Sequence, residues 1–398
     1  MTGFLRQNRF FTPPADYQIW LIGLFGLAGM VATFISVNRY ASNIGEGSTF
    51  AKVLEGIMPY AYAPFFLLLK PLYVPASGQL LKKPTVKVLL FGFVLLLIGV
   101  AGNSRGLFMT GITAVGIAYL LGLLLGKFDY KIINSKNLII AVLGLWIITG
   151  PLSNLGTAMV IVRGQRAHLS SSELMQRTLQ TFQDTKAIQR YRATLNVVEK
   201  YDWDETYFDN IFLSRFCNLK YNDASLELAY KLGKIDKGMV QYSIDKFLST
   251  LPTPFLSFLH IKVDKQTLNT FSYGDFLYHR SGGQFALGGF RTGHFAGTGM
   301  ATFGWWYLLA LGLGVLPFFF LVDLFVHTYT ANGVTYTYLS LAGLIEITFF
   351  FTLFSVSNFS ESVMNVFAFF IRGWIQMLLL YWVLLFATSK MSFFKRFL

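Results

Sequence analysis

Stretches of about twenty mostly apolar residues recur along this chain, and a run of that length is what an α-helix needs to cross the hydrocarbon core of a bilayer. They lie at roughly 17–38, 56–76, 85–103, 106–126, 138–162, 301–325, 336–358 and 365–388. Eight crossings are therefore predicted. The charged fraction of 13% is about half that of a water-soluble domain, so the surplus apolar surface has to face lipid. The single Cys217 forms no internal disulfide, and the chain is too apolar for disorder. No small-x-small cleavage pattern follows the first stretch, and Pro13-Pro14 precedes it, which reads as a retained helix rather than a signal peptide. Pro64, Lys70 and Pro71 interrupt the second, predicting a bent or re-entrant helix.

Orientation follows from the cations in the short loops. With eight spans both termini share a side, which would hold Arg6, Arg9, Lys82, Lys83, Lys87, Lys127, Lys131, Lys136, Lys390, Lys395 and Arg396, against Arg39, Lys52 and Arg105 opposite. That bias places both ends in the cytoplasm. Residues 164–300 hold 16 Lys/Arg and 13 Asp/Glu, a net of +3 out of the chain's +13. The basic balance therefore belongs mostly to the cytoplasmic edges and is a topology signature, with no nucleic-acid partner implied.

Three parts result: a first membrane bundle over 1–163, a large extracytoplasmic loop over 164–300, and a second bundle over 301–398. The loop opens with the capping box Ser170-Ser171-Ser172-Glu173, followed by Leu174, Leu179, Phe182, Ile188, Leu195 and Val198 at helical spacing, predicting one amphipathic helix of some 25 residues. Further helices are expected near 205–218, 222–233 and 237–249, the last ended by Pro252 and Pro254. The fold class is all-α, a polytopic helical bundle with a helical extracytoplasmic cap.

Nucleotide-binding, nicotinamide-binding and zinc-protease signatures are absent, and the five His never take metal-ligand spacing. Neither a cofactor nor a metal is expected. What stands out is arginine on the expected outer side: Arg105 in the turn Gly102-Asn103-Ser104-Arg105-Gly106, Arg163 and Arg166 after the fifth span, Arg280 and Arg291 in the Gly-rich approach to the sixth. A lone Arg at a helix end usually snorkels to a headgroup. Three separate chain positions in loops otherwise poor in cations suggest instead a set of forked donors for phosphate oxygens, hence a lipid diphosphate.

The Gly-Asn-Ser-Arg-Gly turn, the run from Gly150-Pro151-Leu152-Ser153-Asn154-Leu155 through Met159–Arg163 to Arg166, and the segment Gly282–Gly299 leading to Phe303-Gly304 resemble the Wzy-type polymerases of O-antigen and exopolysaccharide repeat units, which are related to the O-antigen ligases. The resemblance implies a bundle like that of the GT-C glycosyltransferases and a periplasmic loop over the active site. It also implies an undecaprenyl-diphosphate-linked oligosaccharide as substrate, chemistry without metal or nucleotide sugar, and a chain-length co-polymerase as a candidate partner in lipopolysaccharide biosynthesis. Eight spans is fewer than is common in that family. The alternatives are ligation onto lipid A core from the same donor, or, from a different class, a lipid-linked oligosaccharide flippase. No two-fold repeat or pair of matching broken helices supports the latter.

In this reading Arg105, Arg163, Arg166, Arg280 and Arg291 hold the diphosphate and stabilise it as it leaves. His294, Asp275 and Glu361 are the candidates for taking the acceptor's proton, against plainer roles as a helix-start histidine, a helix cap and a turn residue. Tyr273, Phe276 and Tyr278 could stack on sugar rings. Glu346 and Arg372 fall inside predicted spans, where they are expected to pair with each other, or Arg372 to extend the diphosphate site.

Overall fold

Helical periodicity is realised as helix through most of the computed structural model, which describes residues 2–36, 49–75, 86–104, 106–128, 135–165, 169–198, 210, 219–268, 270–283, 287, 291–331, 333–346 and 361–393. In chain order come α1 (Thr2–Gln7), α2 (Asp16–Val31), α3 (Thr49–Ile57), a 3-10 segment Met58–Leu72, α4 (Val86–Ala101), α5 (Gly106–Leu124), α6 (Ser135–Ile147), α7 (Ser153–Val162), α8 (Ser171–Gln183) and α9 (Thr185–Val198). The chain continues with α10 (Leu219–Leu232), α11 (Lys237–Ser249), α12 (Thr253–Phe258), α13 (Lys265–Leu268), α14 (Tyr273–Arg280), α15 (Phe295–Phe303) and α16 (Tyr307–Asp323). A hairpin of β1 (Val326–Ala331) and β2 (Val334–Leu339) precedes α17 (Val363–Ala368) and α18 (Trp374–Lys390).

Four helical stretches are long and apolar enough to cross a membrane: Asp16–Phe34, Leu138–Gln165, Phe295–Asp323 and Val363–Lys390. Two shorter apolar helices, Val86–Ala101 and Met109–Leu124, accompany them. Their flanks carry large apolar side chains in the open, among them Leu138 at 61%, Trp146 at 64%, Leu313 at 60% and Phe386 at 58% exposure. Such continuous apolar surface is matched by lipid. π-helical turns at Ala32–Ser36, Ile148–Leu152 and Phe369–Gly373 interrupt three of the four, the second at Pro151, which has no N–H to give.

The expected second and seventh spans are not regular apolar α-helices. Residues 58–72 wind as a 3-10 segment kinked at Leu69, because Pro64 and Pro71 withhold donors and crowd the preceding turn. Its inner face packs on α2, where Gly23, Gly26 and Gly29 form a stripe: a β-carbon on Gly26 would lie 2.0 Å from the Ala61 nitrogen. Residues 336–339 belong to β2, paired antiparallel with β1 in the register Val326↔Leu339 to Ala331↔Val334, so the strand takes the start of the seventh stretch. Only 341–346 of that stretch follow as helix within the described residues. Alternating Thr and Tyr suit a pleat, and Gly333 at φ 75° makes the turn. Among the described residues the hairpin is the exception to an otherwise helical fold.

The single amphipathic helix expected after the capping box is two helices. Ser170 and Glu173 do form the reciprocal cap at the start of α8. Asp184 then ends α8 at φ −85° and ψ 84° and caps α9 with its own side chain, accepting from the Ala187 N–H at 3.0 Å. Apart from residue 210, the helix expected near 205–218 lies outside the described residues.

Two compact units form. One comprises Met1–Tyr191, Leu321–Phe351 and Met377–Leu398; the other comprises Arg192–Phe320 and Thr352–Gln376. Within the first unit α8 packs on α7 and α4, and within the second α17 packs on α11 and α15. In the second unit α15 lies flat on α10, so close that a β-carbon on Gly297 would meet the Ser225 backbone at 2.2 Å. The chain then turns through Gly304, at φ 58°, into the apolar α16.

Candidate functional site

The second unit buries Ser243, Ser272, Asp275, Thr298, Thr302 and Ser362 on α11, α14, α15 and α17 or at their starts. Asp275, at 1% exposure, is the third residue of α14 and closes a capping box with Ser272: its N–H donates to the Ser272 Oγ at 3.1 Å, and its Oδ2 accepts from the Ser272 N–H at 3.4 Å. Its Oδ1 accepts from the Arg291 backbone N–H at 3.0 Å and lies 3.4 Å from Nη1 of the same residue. Ser272 in turn donates to the Arg291 carbonyl at 2.5 Å. The Arg291 guanidinium lies over the Tyr278 ring, 4.3 Å from its centre. One loop arginine is thus clamped at backbone and side chain by the start of a single helix.

Glu361 stands one residue before the Ser362 cap of α17. The residue is half-buried with its carboxyl turned inward, where the Tyr273 N–H donates to it and Lys246 and Asp275 act on it through space. Burial is the largest influence and pushes the carboxyl up to about 7. Its backbone carbonyl accepts from the Thr298 hydroxyl at 2.7 Å. Lys246 reaches into the same region from α11, donating to the Leu268 carbonyl at 2.5 Å, and burial lowers the affinity of its amine for a proton. The Tyr273 hydroxyl is buried beside Ser243 and Ser362 without a hydrogen bond of good geometry. A carboxyl that exchanges a proton near neutrality, beside an amine and an unsatisfied phenol, is equipped for proton transfer.

The other proton-transfer candidates have structural duties. His294 caps α15: its backbone N–H donates to the Ser225 Oγ at 3.0 Å, and its Nδ1 accepts from the Ala296 N–H at 3.5 Å. That contact directs the ring proton to Nε2, and burial takes the imidazole down to about 4. A neutral histidine with Nδ1 engaged is a donor, not a base. Asp275 is held by the cap and by Arg291 as described.

The arginines separate. Arg280 forms a two-pronged pair with Asp236, Nε at 2.9 Å and Nη2 at 2.6 Å, so the Asp236 side chain both caps α11 and neutralises this guanidinium. Arg291 faces Asp275. Arg163 is exposed in the first unit and Arg372 is exposed in the second. Arg105 and Arg166 lie outside the described residues. Glu346 is buried in the first unit with neither carboxyl oxygen hydrogen-bonded, so the expected pairing with Arg372, a residue of the second unit, finds no support. The expected sugar-stacking rings stack on protein instead: Tyr273 and Tyr278 are buried, and Phe276 lies 4.4 Å from Tyr242, which also stacks on Phe271 at 5.3 Å.

Sequence reasoning passed over Lys246, Tyr242, Ser243, Ser272 and Ser362. Lys246 sits at the end of α11, where a lysine is ordinarily a solvated residue meeting the helix dipole, so no local signal marks it. Ser272 was legible as the opening of Ser272-Tyr273-Gly274-Asp275, a helix-start pattern. Among the described residues no cluster of His, Cys, Asp and Glu could hold a metal ion. No family model, curated protein or solved structure matches the chain.

Proposed function

We propose that the chain is a glycan polymerase of the bacterial inner membrane with both termini cytoplasmic. It transfers an undecaprenyl-diphosphate-linked glycan to a sugar hydroxyl of an incoming lipid-linked repeat unit at the outer face. The observation that carries this reading is Glu361, whose carboxyl is poised near neutrality beside Lys246 and at the head of a membrane-crossing helix. Lipid-linked substrates suit a protein whose helices meet lipid, and the proton chemistry suits attack by an otherwise unreactive hydroxyl.

Glu361 takes the acceptor hydroxyl proton as that oxygen bonds to the anomeric carbon, and the bond from this carbon to the diphosphate breaks with its electron pair. Negative charge then gathers on the diphosphate. Arg291 has five donors in a planar fork and gives Asp275 only part of them, so in this reading it supplies the stabilising cation. Lys246 holds positive charge near Glu361. Arg280 is left out of the revised site, since Asp236 already matches its charge. A ligase would use the same groups with another acceptor.

The test is purified protein with lipid-diphosphate repeat units, read as a product ladder on a gel. Wild type is expected to give ladders, and Glu361→Gln to slow them at least about 100-fold, the usual worth of a positioned base. An undiminished ladder from Glu361→Gln removes the assigned base; no ladder from wild type under any acceptor removes the polymerase.

A further inference from the structure

The first unit encloses a second polar centre, and it plays no part in the reading above. Glu346, at 0% exposure, follows the buried residues Leu341, Ala342, Leu344 and Ile345, and neither of its oxygens finds a hydrogen bond among the described residues. The same unit buries three tyrosines to 2% exposure or less: Tyr60, Tyr73 and Tyr381. The Tyr60 ring stacks on that of Tyr381 with centres 6.3 Å apart, and Tyr60 interacts electrostatically with both Tyr381 and Glu346. Tyr73 does so with Tyr381 and with Asp16. The hydroxyls of Tyr73 and Tyr381 are unpartnered among the described residues; that of Tyr60 donates to the Met377 carbonyl at 2.6 Å and keeps its oxygen lone pairs for accepting.

Orphaned polar atoms in a well-packed interior call for an explanation, and four such oxygens on three buried side chains, linked through Tyr60, call for a shared one. A bare carboxylate buried without donors is among the costliest groups a protein can hold. Among the described residues no ion pair reaches Glu346: from the 3-10 segment and its end come Tyr60, Tyr73 and Lys70, from α18 Tyr381, and from α2 Asp16; the Lys70 amine is bonded to Asp16, and Arg6, near Phe10 whose ring lies on Tyr381, is bonded to His327 of β1. Carboxylate and phenol oxygens are hard donors, and one carboxylate balances one positive charge.

We propose that Glu346, with Tyr60, Tyr73 and Tyr381, forms a binding site for a single monovalent cation, sodium or a proton, inside the membrane unit. The hydroxyl oxygens complete the shell of a sodium ion or share the proton of the carboxyl. The site belongs to a different unit from Glu361, so it stands or falls separately from the polymerase reading.

Infrared difference spectroscopy on the full chain in detergent tests this, using the carbonyl band of a protonated carboxyl assigned by its loss in Glu346→Gln. If sodium is the ligand, adding sodium chloride at fixed pH abolishes the band while choline chloride leaves it. If the proton is, raising the pH abolishes it and sodium has no effect. A band unmoved by either, or no such band at any pH, overturns the proposal and leaves Glu346 a structural acid. Tyr73→Phe and Tyr381→Phe together are expected to weaken the sodium response, or move the pH midpoint, by about tenfold, and they keep the test open should Glu346→Gln fail to fold.

Discussion

Arg291 and Asp275 illustrate how one residue's chemistry depends on what confronts it. As a sequence feature Arg291 is a loop cation; in place, its backbone and side chain are both tied to a carboxylate with no exposed side-chain surface. Removing the cation therefore leaves a buried charge, which costs more than the pair itself contributes. Arg291→Ala is expected to destabilise by about 2–3 kcal/mol, and Asp275→Asn by less, since the amide oxygen can still cap α14. Combining them should cost less than the two losses added, because the stranded charge is gone. Thermal unfolding of the three variants in detergent checks this; strict additivity would mean that the pair is not coupled. The residue types of the candidate site were readable from sequence, and so were the plainer roles weighed for Asp275 and His294. Which carboxyl is buried beside which amine was not, because Lys246 and Glu361 are brought together by the packing of α11 on α17, a contact between elements far apart in the chain.

At the scale of elements, apolar run length marked eight stretches, of which four are helices long and apolar enough to cross a membrane, and at two places the local pattern was misread. Hydropathy counts Tyr and Val as span material whether they alternate with Thr or not, so the stretch from residue 336 was read as helix although Val334-Thr335-Tyr336-Thr337-Tyr338 alternates with period two. Asn332-Gly333 between two such runs was the available hairpin signal. Likewise the spacing of apolar residues from Leu174 to Val198 carries no record of Asp184, whose side chain satisfies the next helix start instead of continuing the first. The hairpin turn makes a direct prediction. Gly333 adopts a left-handed backbone that costs an L-residue about 1–2 kcal/mol, more for a β-branched one, so Gly333→Val should lower the unfolding midpoint of the first unit. Gly116, with open space where a β-carbon would go, is the control: Gly116→Ala should leave that midpoint unchanged or raise it slightly. Equal effects from the two would show that the turn does not constrain the hairpin.

For the whole molecule, the two shifted groups of the second unit oppose each other in their effect on stability. Glu361 has its folded value raised from 4.5 to about 7, so the native state holds its proton longer than the unfolded chain; the stabilisation is full below 4.5 and is lost as pH rises through 7. His294 is the reverse, lowered from 6.5 to about 4: its contribution is full above 6.5 and is lost as pH falls toward 4. Between pH 4.5 and 6.5 the two slopes, each about 1.4 kcal/mol per pH unit at its steepest, run against one another, and the wild-type midpoint should change little there on their account. Single substitutions expose the hidden terms. Glu361→Gln removes the acid-side gain, so its stability relative to wild type should fall steadily as pH drops from 6.5 to 4.5. His294→Asn keeps a residue able to cap α15 and removes the acid-side loss, so relative to wild type it should gain over the same interval. Unfolding midpoints of the three proteins across that interval decide the matter: parallel curves would mean that neither group is buried as described, while divergence in opposite directions ties a membrane protein's acid tolerance to two side chains at the starts of two helices.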